Sequence, residues 1–184
     1  MKQKVPQNLL QNQPREHKHW TAIACCHILS TFPQPYSSLV KISMLIVILI
    51  NCLLVAVAVA VHYEFLFHAT RFIPRMPIKP RLRIIFGVFI ALIAHTVEIW
   101  IFAFAYYFMN RQGSWGGLAG NFNGSLLDCI YFSFTTYSTV GFGDIHPVGD
   151  LRYLTGIESL TGLVLITWTA SFLYYEMQRL WSGN

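Results

Sequence analysis

Thr135-Thr136-Tyr137-Ser138-Thr139-Val140-Gly141-Phe142-Gly143-Asp144 is the stretch that decides how this chain is built. A side chain at Gly141 or Gly143 would resist the backbone angles that turn successive carbonyls to one side. Val140 and Phe142 then point away from those carbonyls, where a β-branched and an aromatic side chain pack and fix the spacing of the oxygens. Upstream, residues 124–137 predict an amphipathic helix of about 12 residues, too short to cross a hydrocarbon core of about 30 Å. Irregular glycine-rich backbone at membrane depth is tolerated only where it is buried in protein or lines a wet cavity. The stretch therefore predicts a re-entrant helix and loop that enter and leave on one side of a membrane. A plain glycine-rich turn between two membrane helices would not require the short helix before it.

Composition points the same way. The 184 residues are 54% hydrophobic and 11% charged, where a soluble domain carries about 25% charged residues. Three runs are long and apolar enough to span, at residues 42–63, 84–109 and 153–175. At 1.5 Å per residue each reaches roughly 30 to 40 Å, enough to cross with modest tilt. The predicted fold class is an all-α membrane protein with three transmembrane helices, a re-entrant pore helix and a filter loop. Its expected parts are a tail at 1–41, an extra transmembrane helix at 42–63, a basic connection at 64–83, a pore module at 84–175 and a short tail at 176–184.

Charge sets the expected orientation. The connection holds Arg71, Arg75, Lys79, Arg81 and Arg83 against Glu64, so the positive-inside bias puts it in the cytoplasm. The second span then runs outward, the loop enters from outside, and the third span returns the C-terminus to the cytoplasm. Pro74, Pro77 and Pro80 make the connection extended rather than helical. Residues 1–41 conflict with this scheme, because Lys2, Lys4, Arg15, Lys18 and Lys41 would lie outside. Two readings resolve the conflict. Either translation starts at Met44, or the tail is disordered, with Trp20 to Phe32 resting at the interface. The tail lacks the cleavage pattern of a signal peptide.

The chemistry of the loop is that of dehydration. Rings of inward carbonyls replace the hydration shell of a potassium ion, Thr139 adds its hydroxyl at the inner mouth, and Asp144 attracts cations at the outer mouth. On these residues the chain from about 84 to 175 resembles the pore module of the potassium channel superfamily. Its T-Y-S-T-V-G-F-G-D is close to the family's T-x-T-T-V-G-Y-G-D, in the manner of small bacterial ion-channel proteins. The resemblance implies a potassium-selective channel subunit. Its K+ ligands would be the carbonyls of Thr139, Val140, Gly141 and Phe142, with Gly143 completing the filter and the Thr139 hydroxyl adding a ligand. Gly162 matches the family's inner-helix glycine, a gating hinge; tight helix packing is the other reading of a small residue there. Phe142 replaces the usual tyrosine, and the matching pore-helix pair is Tyr131-Phe132. The filter is therefore expected to be held more by packing than by hydrogen bonds. One filter per chain implies four copies around the axis, as a homotetramer or with partner subunits. The resemblance also implies a bacterial inner membrane.

Ionisable groups inside spans are costly and functional by default. His95 and Glu98 share a helix face at a spacing of three, and with Glu158 they form a candidate polar cluster behind the pore helix. Local satisfaction by Thr96 and Ser159 is the plainer alternative. Cys25, Cys26, Cys52 and Cys129 lack metal-ligand spacing, and Asp144, His146 and Asp150 in a solvated loop need no metal to explain them. No enzyme constellation is visible, so the chain is read as a non-enzyme. Its expected partners are membrane lipid and its own copies, with no nucleic acid or small-molecule substrate evident, and no cofactor beyond K+ as the permeant ion. The rival functions are a nonselective cation channel and a non-conducting accessory membrane protein.

Overall fold

The computed structural model describes residues 35–182. The expectations for residues 1–34, with Cys25, Cys26 and the Trp20–Phe32 stretch, lie outside the described residues. The chain divides into two units, Met1–Leu45 and Ile46–Asn184.

The first helix, α1 (Pro35–Phe72), runs past the expected end at Tyr63 because nothing before Pro74 breaks it. A 3₁₀ turn at Ile73–Arg75 follows, so the extended part of the basic connection is confined to residues 76–79. Arg71 lies over the Phe67 ring at 4.2 Å, and Arg83 donates to the Met76 carbonyl at 2.9 Å. Two of the connection's cations are thus tied down locally.

Helix α2 (Pro80–Gln112) begins on a proline whose fixed φ suits the first helical position. It ends at Gly113, which takes the left-handed conformation at φ 66° and returns its N–H to the Met109 carbonyl. The short helix α3 (Leu126–Tyr137) has the expected 12 residues. Ser125 caps it by accepting the Asp128 N–H at 3.1 Å. Asp128 in turn accepts the Asn123 N–H at 2.9 Å, and that backbone donor, with Ser125, holds its carboxyl below the ordinary value. Helix α4 (Leu151–Ser182) closes the chain.

Three helices are long and apolar enough to cross a membrane, over Met44–Arg75, Arg81–Gln112 and Leu151–Arg179. The chain is an integral, largely helical membrane protein, with α3 as the short element between its last two spans. Leu49, Leu53, Phe89, Leu92, Phe108 and Leu163 stay exposed on these helices, as a lipid-facing surface requires. Phe102 and Tyr106 of α2, Cys129 and Phe132 of α3, and Leu151, Leu154 and Leu165 of α4 are buried together. Lipid tails are as apolar as leucine, so close packing holds this core rather than escape from water. The Tyr106 ring meets Phe132 edge-on at 5.0 Å.

A two-stranded ribbon is the element the sequence reading lacks. Strands β1 (Gly116–Gly120) and β2 (Ile145–Gly149) pair antiparallel, with Gly116 opposite Gly149 and Gly120 opposite Ile145. A Cβ at Gly116 would run into the Val148 and Gly149 backbone, so the close approach needs glycine there. The ribbon joins the end of α2 to the segment leaving the loop, and Asn121 N–H donates to the Asp144 carbonyl at 2.9 Å. It clasps the loop's exit.

Candidate functional site

Helix α3 hands its backbone directly to the glycine-rich loop. The Thr139 N–H donates to the Thr136 carbonyl at 3.0 Å, and the Gly141 N–H reaches back to the Thr135 carbonyl at 3.1 Å. Positive φ then falls on alternate residues: 60° at Thr139, 51° at Gly141 and 81° at Gly143. Thr139 is the one non-glycine with positive φ among the described residues. Alternation of positive with negative φ swings successive peptide planes so that their carbonyls can face a common side. Extended backbone would alternate them instead.

Tyr131 of α3 supports this run from outside. Its ring stacks on Phe142 with centroids 6.3 Å apart and planes 7° from parallel. Its hydroxyl donates to Asp144 Oδ2 at 3.0 Å. Alongside the packing expected at Phe142, one hydrogen bond thus ties the pore helix to the C-terminal end of the loop. Val140 and Phe142 remain largely exposed on one chain.

Behind the loop, α4 approaches α3 closely at Gly162. A Cβ there would collide with the Tyr137 carbonyl and crowd its ring. One turn earlier, Ser159 donates to the Thr136 carbonyl at 3.1 Å.

Two polar clusters, rather than one, back the pore helix. In the first, Glu158 of α4 accepts from Tyr106 at 2.6 Å and from Ser133. In the second, Glu98 accepts from Tyr137, lies 3.0 Å from His95 Nδ1, and lies 2.8 Å from His62 Nδ1. Both carboxylates are fully buried, and each is bonded to its own set of partners. His95 and Glu98 meet as their spacing on α2 suggested, with Thr96 turned instead to the Leu92 carbonyl at 2.8 Å. Sequence reasoning missed His62, Tyr106, Ser133, Tyr137 and Thr169. For His62 a signal existed: a histidine in an otherwise apolar run is itself a costly intramembrane group.

With this geometry in view, comparison with known proteins is informative. Residues 94–179 match the ion channel family model. The chain is 45% identical over 56 residues to potassium channel protein kcv of Paramecium bursaria Chlorella virus 1, covering 27% of this chain and 60% of that protein. It is 34% identical over 61 residues to the inward rectifier potassium channel Kirbac3.1 of Paramagnetospirillum magnetotacticum, covering 33% of this chain and 21% of that one. The chain therefore spans less than two thirds of either relative. No solved structure matches it. The matched segment takes in the last part of α2, the whole of α3 with its loop, and most of α4, and in this region the chain is similar to the ion channel family.

Proposed function

We propose that four copies of this chain assemble around an axis as a potassium-selective channel. The carbonyls of Thr139, Val140, Gly141 and Phe142, with the Thr139 hydroxyl, ring the permeant ion. The observation that carries the reading is the alternation of positive φ at Thr139, Gly141 and Gly143 directly after a helix too short to span. Each chain supplies one strand of oxygens, and dehydrating K+ takes four. Asp144 sits at the outer mouth, where it concentrates cations. Conduction runs down the electrochemical gradient and needs no covalent chemistry, no cofactor and no small-molecule substrate.

Orientation follows the charge of the Arg71–Arg83 connection: that segment and the C-terminus face the cytoplasm, and the loop opens outward. A bacterial inner membrane suits this arrangement. Gly162 serves as the place where α4 can press against the end of the pore helix, and bending of α4 there would move Tyr137.

Reversal potential in planar bilayers, with opposed K+ and Na+ gradients, tests the proposal. A reversal close to the K+ equilibrium potential is expected. A reversal midway between the two would make the pore a nonselective cation channel, and absence of current from a verified tetramer would make the chain an accessory protein.

A further inference from the structure

Thr169 offers one hydroxyl to two imidazoles. His62 Nε2 lies 3.3 Å and His95 Nε2 lies 3.1 Å from its Oγ1. The opposite nitrogens of the same two rings, both Nδ1, turn toward the two oxygens of Glu98. Tyr137 adds its phenol oxygen, bonded to Glu98 and 3.0 Å from His95 Nδ1. Two imidazoles, a carboxylate and a phenol thus converge on one side, and a single hydroxyl caps both rings on the other.

We propose that this cluster is a binding site for a divalent transition ion of the Zn2+ class, held by His62 Nδ1, His95 Nδ1 and a Glu98 oxygen. The Tyr137 oxygen, or a water, would take the fourth position. Nitrogen and oxygen donors of these kinds suit such ions rather than K+ or Ca2+. The ligand atoms of His62, His95 and Glu98 all lie within 4.8 Å of one another. Ligand bonds of about 2.0–2.1 Å around a tetrahedral ion put neighbouring donors roughly 3.3 Å apart. The observed separations, 2.8 Å from His62 Nδ1 to Oε1 and 3.0 Å from His95 Nδ1 to Oε2 of Glu98, therefore need a small expansion and a turn of the carboxylate that presents one oxygen to both rings.

Thr169 supplies the outer shell such a site requires. A ligating histidine donates its other N–H to a fixed acceptor. A hydroxyl oxygen has two lone pairs and one proton, so it matches two N–H donors better than two bare nitrogens. With an ion on both Nδ1 atoms, both Nε2 atoms carry protons and both donate to Thr169. Access also exists, because His95, Tyr137 and Thr169 line a cavity of about 420 Å³. His62 and Glu98 are fully buried, and His95 is 14% exposed. A bound ion would link α1 through His62, α2 through His95 and Glu98, and the last residue of α3 through Tyr137.

The test is Co2+ titration of the purified full-length tetramer after treatment with a chelator. The expected result is one Co2+ per chain, with the intense visible absorption of a four-coordinate ion, displaced by Zn2+. His62→Gln with His95→Gln should abolish it, while the exposed His68→Gln and His146→Gln should leave it intact. Thr169→Val keeps every ligand and should weaken affinity about 10–100-fold, a readout that does not depend on losing the fold. Absence of the band in the wild-type protein at saturating Co2+ would overturn the proposal. A band that survives in the double histidine variant would overturn it as well.

Discussion

Thr139 holds a β-branched side chain at φ 60°, a conformation that costs an L-residue roughly 1–2 kcal/mol and that is an outlier for branched residues. Strain of this kind persists where the surroundings enforce it and function uses it. Replacing Thr139 with glycine removes the strain and the hydroxyl together. Thr139→Gly is expected to melt no lower than wild type while K+ over Na+ selectivity falls. A lower melting temperature with selectivity intact would contradict this account of the residue. Tyr131→Phe separates the two supports at the C-terminal end of the loop, because the stack on Phe142 survives and the bond to Asp144 does not. Reversal potentials should show reduced selectivity in that variant, whereas an unchanged ratio would mean that packing alone holds the loop.

Helices α3 and α4 meet where glycine leaves no clearance. Gly162→Ala pushes a methyl group into the Tyr137 carbonyl, and overpacking of this sort costs about 1–3 kcal/mol. Thermal unfolding of the variant should fall accordingly, and a neutral alanine would show that the two helices separate freely. At the other end of α3, Asp128 gives a pH-dependent contribution. Its folded-state carboxyl lies below the ordinary 3.8 because the Asn123 N–H bonds the charged form. The stabilisation is therefore complete above the ordinary value and is lost as pH falls through the folded one. Acid should lower the melting temperature less in Asp128→Asn than in wild type. The short helix and glycine loop were legible in the sequence because their signals are local: an abrupt length limit and alternating glycines. The ribbon was not, since glycine-rich Gly116–Gly120 and Pro147-containing Ile145–Gly149 have little strand propensity. Their pairing is imposed by the elements they join. His95 and Glu98 were legible from spacing on one helix, whereas His62 and Thr169 reach them from other helices and carry no spacing signal. Glu158 was legible as a buried ionisable group, but its partners Tyr106 and Ser133 lie on α2 and α3.

On the scale of the molecule, the exposed Val140 and Phe142 are 57% and 69% accessible on one chain. In the proposed assembly these side chains pack against the neighbouring copies and fix the ring of oxygens. Crosslinking in liposomes should accordingly stop at four chains, and a ladder ending at two would contradict the fourfold ring. The central claim is that the loop from Thr139 to Gly143 conducts dehydrated K+. The most direct measurement is K+ and Na+ flux into liposomes containing the purified protein, for wild type and Gly141→Ala, whose φ of 51° a Cβ would strain. The account predicts K+-selective flux in the wild type and its loss in the variant. Equal flux of both ions, or K+ flux that survives the substitution, would contradict it.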